Sequence, residues 1–220
     1  MMSPATGVQT VAAAPETQIS VAAVGLETIA HELRQPLSAI ESIAYYLSLV
    51  LPRDGGPARE QAGRLQQLVE QSNWILTSAL QFADAAPLAP QPVNLEELVT
   101  DAVAARALYN EPAIRLDLAG GLPLVRLDPG RGRALLENLV LLFRQLANDM
   151  HPIRITTARS EGGVALAIVS AVPGYRSEAA LGPGCGLSIA SARRVVQAHG
   201  GSFSIQVDAA SGISVTVVLP

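Results

Sequence analysis

The stretch that decides the fold runs from residue 29 to residue 40 and reads Ile-Ala-His-Glu-Leu-Arg-Gln-Pro-Leu-Ser-Ala-Ile. Its apolar residues recur at alternating spacings of three and four, and the same spacing continues on both sides of it. Such a period places the apolar side chains on one stripe of an α-helix. The stripe comprises Leu26, Ile29, Leu33, Pro36, Ile40, Ile43, Leu47 and Val50. The pattern predicts one long amphipathic helix that begins near residue 21.

A second amphipathic helix is predicted over residues 58–85, after a turn rich in proline and glycine at residues 52–57. Its predicted buried side holds Leu65, Leu68, Ile75, Ala79 and Phe82. Two helices joined by a short turn form a hairpin, and one hairpin alone leaves its apolar stripe half covered. We therefore expect two copies of the chain to pair as a dimeric four-helix bundle.

Three prolines within residues 86–92 mark a stiff linker between two parts of the chain. The predicted organisation is a flexible tail at 1–20, a helical hairpin at 21–86, a linker at 87–93 and a second domain at 94–220. In the second domain, helices predicted at 95–106, 129–148 and 186–198 are interspersed with short β-type segments, two of which form a hairpin turned at residues 161–163. This mixture predicts an α+β fold in which the second domain is a two-layer sandwich.

His31 lies about 200° around the predicted helix from Leu33, so it points away from the apolar stripe. It shares a polar side of the helix with Gln35, Ser38 and Ser42. An exposed histidine on a helix is most often an ordinary solvated residue. A neutral imidazole is nevertheless a competent nucleophile at cellular pH, so the sequence around His31 has to decide between the two interpretations.

Residues 31–37, His-Glu-Leu-Arg-Gln-Pro-Leu, resemble the phosphoacceptor box of two-component histidine kinases. The resemblance implies that His31 accepts a phosphoryl group and that Glu32 orients the ring and takes its proton. Arg34 is a candidate to pair with phosphoryl oxygens. Gln35 stands where many family members carry Thr or Asn to position a hydrolytic water, so we do not expect dephosphorylating activity.

The C-terminal part resembles the ATP-binding domain of the same family. Residues 182–189, Gly-Pro-Gly-Cys-Gly-Leu-Ser-Ile, are similar to the family's second glycine box. Residues 128–139 are similar to its asparagine box, and residues 168–175 to its first glycine box. A glycine-rich turn that opens a helix suits phosphate, because backbone N–H groups and the helix dipole favour anions. The implied nucleotide-binding residues, which are candidates for a vestigial site, are Asn138, Gly174, Gly182, Gly184 and Gly186.

The departures from the family pattern fall where nucleotide chemistry is needed. Leu142 replaces a second asparagine that helps the family to hold magnesium, and Gln145 replaces a basic residue. Ser170 stands in place of the aspartate that accepts from the adenine amino group. Only residues 175–181 separate the two glycine boxes, where family members have a longer lid. Since a leucine provides no oxygen ligand, we predict no metal ligands and do not expect autophosphorylation from ATP.

Three functional interpretations follow from a phosphoacceptor box that matches the family and nucleotide motifs that depart from it. We call them the first, second and third readings. In the first, the protein is a phosphotransferase that exchanges a phosphoryl group between His31 and aspartates of response-regulator receiver domains. It then needs no cofactor of its own, because the receiver brings Mg²⁺, and an upstream hybrid kinase is a candidate partner. The second reading is a divergent sensor histidine kinase core that uses ATP and Mg²⁺. The third is a non-catalytic dimeric signalling scaffold with an idle His31.

Composition narrows the partners and the location. A net charge of −4 creates no basic field for nucleic acid. The apolar runs are far shorter than the roughly 18 residues of a membrane helix, and residues 1–4 lack the basic start of a secretory signal. The single cysteine, Cys185, cannot form an internal disulfide. We therefore expect a cytoplasmic protein without a membrane span.

Overall fold

The computed structural model describes residues 15–52, 56–105, 113–148 and 150–220, with only the backbone described for residues 15–24. The helices are α1 (Pro15–Val50), α2 (Gly56–Ala83), α3 (Leu95–Ala104), α4 (Pro129–Leu146) and α5 (Cys185–Ala198). The strands are β1 (Gln91–Val93), β2 (Ile114–Asp117), β3 (Val125–Leu127), β4 (Ile153–Ser160), β5 (Gly163–Ser170), β6 (Ser202–Asp208) and β7 (Gly212–Leu219). A 3₁₀ turn, Glu178–Ala180, precedes α5.

Helices α1 and α2 pack against each other as the predicted hairpin. Helix α1 begins at Pro15, so the prediction of a flexible tail is wrong for residues 15–20, while residues 1–14 lie outside the described residues. Most of the predicted turn, residues 53–55, also lies outside them. Arg59 of α2 donates from Nη1 to the carbonyl oxygens of Ser48 (3.0 Å) and Leu51 (3.1 Å). A side chain of α2 therefore satisfies backbone groups at the end of α1.

Small side chains, not the large apolar ones, form the buried contacts of α1 within the hairpin. Ala30 and Ala44 are fully buried, whereas most of the predicted stripe of α1 is exposed in the single chain. The predicted buried side of α2 is partly wrong, since Leu65, Leu68 and Phe82 are exposed. The residues that α2 buries are Ala62, Val69, Trp74 and Ser78. The difference arises because α2 contacts α1 on one side and the second domain on another, which leaves a third, apolar side uncovered.

The second domain is built on a five-stranded sheet in the order β2-β4-β5-β7-β6. Strands β2 and β4 run parallel, and every other pair in this sheet is antiparallel. Alternate residues of β5 and β7 are buried, and the register sets Ile168 opposite both Ile155 and Val215. One face of the sheet thus joins the apolar core that also holds side chains of α3, α4 and α5. This arrangement confirms the predicted helical hairpin followed by an α/β sandwich.

The linker prediction is wrong for residues 91–93, which form β1. This strand pairs antiparallel with β3, with Pro92 opposite Arg126. A proline is tolerated in so short a two-stranded ribbon because each strand has a neighbour on one side only. Helix α3 ends at Ala104, two residues before its expected end at residue 106, which lies outside the described residues.

Candidate functional site

His31 is exposed on helix α1, as the helical period predicted. Gln35, Ser38 and Ser42 are exposed with it, at positions one, two and three turns further along the same side of the helix. The hydroxyl of Ser42 donates to the carbonyl oxygen of Ser38 at 2.8 Å. This face is polar and open, so it leaves room for a partner to reach the imidazole.

Two charged residues of the phosphoacceptor box have different surroundings. Glu32 is exposed beside His31. Arg34 is half-buried, and its Nη2 donates to Oγ1 of Thr77 on α2 at 3.3 Å. A guanidinium has five N–H donors, so Arg34 keeps donors for a further ligand while one is held by α2. The second helix thereby positions a side chain of the box.

A buried polar cluster joins the hairpin to the second domain, and we call it the Asn138 cluster: Trp74, Ser78, Asn138 and Ser188. Trp74 donates from Nε1 to Oδ1 of Asn138 at 2.8 Å. The hydroxyls of Ser78 and Ser188 lie 3.1 Å and 2.7 Å from the same oxygen. The amide nitrogen of Asn138 donates to the carbonyl oxygen of Ser188 at 3.2 Å. All four residues are buried, so the amide that the resemblance assigns to nucleotide is held by protein groups.

Gly184, a second residue that the resemblance assigns to nucleotide, also meets α2. It precedes α5 with φ of 83°, a left-handed conformation that favours glycine. A Cβ atom at this position would lie 2.7 Å from Cγ1 of Ile75 and 3.0 Å from Cζ3 of Trp74. The glycine is therefore needed for the close approach of α2 as well as for its backbone conformation. Gly174, Gly182 and Gly186 are exposed, and a Cβ atom at any of them would meet open space.

The residues that replace the family's magnesium and adenine contacts are part of the core. Leu142 is fully buried and apolar, so its position offers no oxygen to a cation. Ser170 is buried, and its hydroxyl donates to the carbonyl oxygen of His151 at 3.0 Å. Among the described residues, no group of three or more His, Cys, Asp or Glu side chains could hold a metal ion. Where the resemblance implies contacts to magnesium and adenine, the chain therefore has an apolar side chain at Leu142 and a hydroxyl already bonded to the backbone at Ser170.

The short segment between the two glycine boxes is attached to the core at both ends. Tyr175 packs partly buried against the core, and Leu181 is buried within it. The thiol of Cys185 donates to the carbonyl oxygen of Leu181 at 3.3 Å. Burial raises the pKa of this thiol to about 11, so Cys185 stays protonated at neutral pH. Residues 175–181 thus form a compact connection whose two ends pack against the core.

Sequence reasoning missed Thr77, Trp74 and Ser78 as site residues. The apolar spacing of α2 predicts a buried side with Leu65, Leu68, Ile75, Ala79 and Phe82, and Trp74 lies off that side. One signal could have found it: the protein has a single tryptophan, and a serine follows it one helical turn later. A buried tryptophan needs a partner for its N–H group, and that partner is on another domain.

Comparison with known proteins gives relatives of one class. The sensor histidine kinase ZraS of Escherichia coli K12 is 28% identical over 205 residues, which covers 87% of this chain and 44% of ZraS. The methanogenesis regulatory histidine kinase FilI of Methanothrix harundinacea is 25% identical over 211 residues, which covers 88% of this chain and 24% of FilI. The chain thus spans less than half the length of these relatives. No family model matches it.

Solved structures agree on the fold. Full-length ShkA in complex with AMPPNP has a TM-score of 0.58 at 22% identity, covering 88% of this chain and 44% of ShkA. The Acinetobacter baumannii histidine kinase AdeS has a TM-score of 0.52 at 16% identity, covering 85% of this chain and 95% of AdeS. The predicted resemblance is confirmed: the chain is similar to sensor histidine kinases over 87% of its length and has the fold of a histidine-kinase core. These relatives favour the second reading, an ATP-dependent kinase core, over the first, a phosphotransferase.

Proposed function

We propose that the protein carries a phosphoryl group on His31 and exchanges it in two-component signalling. The observation that supports this role is the exposed His31 on a polar face of α1, next to Glu32 and with Arg34 held by α2. The imidazole nitrogen attacks phosphorus, the leaving oxygen departs with the donor, and Glu32 accepts the ring proton. Arg34 offers its remaining donors to the phosphoryl oxygens.

The first candidate donor is ATP, and the relatives support it because those compared are kinases. In this reading the chain is a divergent kinase core, and Mg-ATP has to bind the second domain. The described arrangement opposes such binding at two places. The amide of Asn138 is held by Trp74 and Ser188, and Leu142 offers no ligand to the cation.

The second candidate donor is an aspartyl-phosphate of a receiver domain, and the Asn138 cluster supports it. A receiver brings its own Mg²⁺ to the reaction, so the second domain need not bind nucleotide. Positioning provides most of the catalysis in phosphoryl transfer, and the open face around His31 provides room for in-line docking. The function that the geometry supports best is therefore phosphotransfer through His31 with response-regulator receiver domains.

The decisive experiment compares the two donors on the parent protein and on His31→Ala. We expect a phosphorylated receiver to label the parent within minutes, and Mg-ATP to label it far more slowly. Replacing His31 should abolish labelling by either donor without loss of fold, because an exposed side chain buries little. His151→Ala is the matched control, since it removes another histidine and should label like the parent. Labelling of His31→Ala at the parent rate would contradict the proposal.

We further propose that the active form is a homodimer, paired through the side of the hairpin that is apolar and exposed in one chain.

None of the described helices combines the length and the apolar character needed to cross a membrane. A cytoplasmic location stays a prediction from the sequence, as does the upstream hybrid kinase.

A further inference from the structure

Helix α2 lies against two of the five residues of the second domain that the family resemblance assigns to nucleotide. Trp74 donates to Asn138, and Trp74 and Ile75 lie against Gly184. We call this surface, which carries Asn138, Gly184 and Ser188, the α4–α5 face. It is covered by a helix of the same chain, so a ligand on this face has to displace that helix.

Two kinds of interaction hold α2 on the α4–α5 face: burial of apolar side chains and hydrogen bonds to Asn138. Trp74 is 3% exposed and belongs to the apolar core of the second domain. Three donors converge on Oδ1 of Asn138, and a carbonyl oxygen has only two lone pairs. The amide therefore has no free acceptor capacity while α2 is in place. Separating the two surfaces would expose the apolar ring of Trp74 to water and replace these hydrogen bonds by bonds to water.

We infer that helix α2 and an adenine nucleotide compete for the α4–α5 face, with Trp74 as the residue that excludes the nucleotide. The inference deepens the proposed function, because it names what determines access to one of the two donors. With α2 in place, phosphoryl groups reach His31 only from another protein. Nucleotide binds only to the fraction of molecules in which α2 has left this face, so its apparent affinity falls with that fraction.

The test uses the full chain and Mg-ATP as the probe, measured by calorimetry. Trp74→Leu removes the N–H donor and part of the covering ring. We expect this variant to bind Mg-ATP at least tenfold more tightly than the parent. Val69→Ala is the matched control, because Val69 is also buried on α2 but lies outside the core of the second domain. Its affinity should stay within twofold of the parent.

A second measurement follows the parent protein directly, because Trp74 is its single tryptophan. Emission and acrylamide quenching therefore report on this contact alone. We expect a buried, poorly quenched tryptophan without ligand, and a red-shifted, readily quenched one wherever Mg-ATP binds. If Trp74→Leu does not fold, Ile75→Ala replaces it, with an expected gain of at least threefold.

Two results would overturn the competition. One is a folded Trp74→Leu, or in its place Ile75→Ala, that binds Mg-ATP no better than the parent. The other is binding of Mg-ATP to the parent while Trp74 remains buried and unquenched. Labelling of His31 by a phosphorylated receiver is measured on the same variants. If a phosphorylated receiver does not label the parent, the proposed function is contradicted. If the variants and the parent bind Mg-ATP with the same affinity, only the competition is contradicted.

Discussion

His31 and Glu32 are neighbours in sequence, and their Cα–Cβ directions differ by about 100° around α1. Both side chains are exposed, so the carboxylate can swing toward the ring and accept its proton during attack on phosphorus. Glu32→Gln keeps the size of the side chain and removes its basicity. We expect transfer from a phosphorylated receiver to slow by roughly 10- to 1,000-fold, the range of general acid–base assistance.

The measurement for Glu32 is the rate of His31 labelling in single-turnover conditions. Glu41→Gln, an exposed glutamate on the same helix but outside the phosphoacceptor box, is the control and should transfer like the parent. Equal rates for Glu32→Gln and the parent would show that the proton goes to solvent instead.

The side-chain oxygen of Asn138 accepts hydrogen bonds from both the hairpin and the second domain. In Asn138→Ala, the N–H group of Trp74 and the hydroxyls of Ser78 and Ser188 lose their acceptor inside the protein. Unsatisfied buried donors cost about 1–3 kcal/mol each, although the serine hydroxyls can turn to helix carbonyls. We expect the free energy of unfolding in urea to fall by about 3 kcal/mol. Gln145→Ala, on an exposed position of α4, should change it by less than about 0.5 kcal/mol.

At the scale of an element, α4 depends on the carboxylate of Asp128 at its start. Oδ1 of Asp128 accepts from the backbone N–H groups of Gly130 (3.0 Å) and Arg131 (3.1 Å), and Oδ2 accepts from Ala89 (3.0 Å). These hydrogen bonds hold the pKa of Asp128 below its ordinary value of 3.8, and the bond from the backbone N–H group of Arg131 has the largest effect. The carboxylate therefore caps the helix and also ties the linker before β1 to it.

The lowered pKa of Asp128 predicts how its contribution depends on pH. The stabilisation is present above the unfolded pKa and is lost as pH falls through the folded pKa, because protonation removes the charge that the N–H groups prefer. Asp128→Ala should lower the free energy of unfolding by about 1 kcal/mol at pH 7, a usual value for a helix cap. The difference from the parent should shrink below about pH 4. Urea unfolding across pH 3–7 measures it, and a difference that stays constant over that range would contradict the assignment.

At the scale of the whole molecule, the hairpin leaves large apolar side chains exposed on one side. Ile29, Ile40 and Ile43 are 55%, 40% and 60% exposed in the single chain. Burial of such a surface against a second copy is favourable by about 25 cal/mol per Å². We therefore expect a dimer by light scattering at micromolar concentration.

The matched variants for the dimer are Ile43→Glu and Ser42→Glu, which place the same charge on neighbouring positions of α1. Ile43 lies on the apolar side and Ser42 on the polar one. A charge at Ile43 should shift the protein to monomers, because it would be buried unpaired in the interface. Ser42→Glu should stay dimeric. A monomeric parent protein would contradict the proposed pairing.

Local chemistry explains why much of the fold could be predicted from the residues. The period of three and four around Leu33 is a property of neighbours along the chain, and it correctly predicted α1, the exposure of His31 and the hairpin with α2. Two β-type segments around the turn at residues 161–163 likewise predicted the hairpin of β4 and β5. The wrong expectations have local causes too. Three prolines suggested a linker throughout residues 87–93, but Pro92 is accommodated in β1 because β3 pairs with it from one side only.

By itself the sequence determined most of the elements, the α+β class and the position of the phosphoacceptor box, because periodicity, turn residues and a contiguous motif are all local signals. Only the tertiary structure decided which side of α2 is buried and what Asn138 binds. Trp74 and Asn138 are 64 residues apart along the chain, and no local pattern links them. Their contact arises from the packing of α2 on the second domain, where a buried indole N–H group has to find an acceptor. That packing places a helix of the hairpin against Asn138 and Gly184, for which the family resemblance implied a nucleotide.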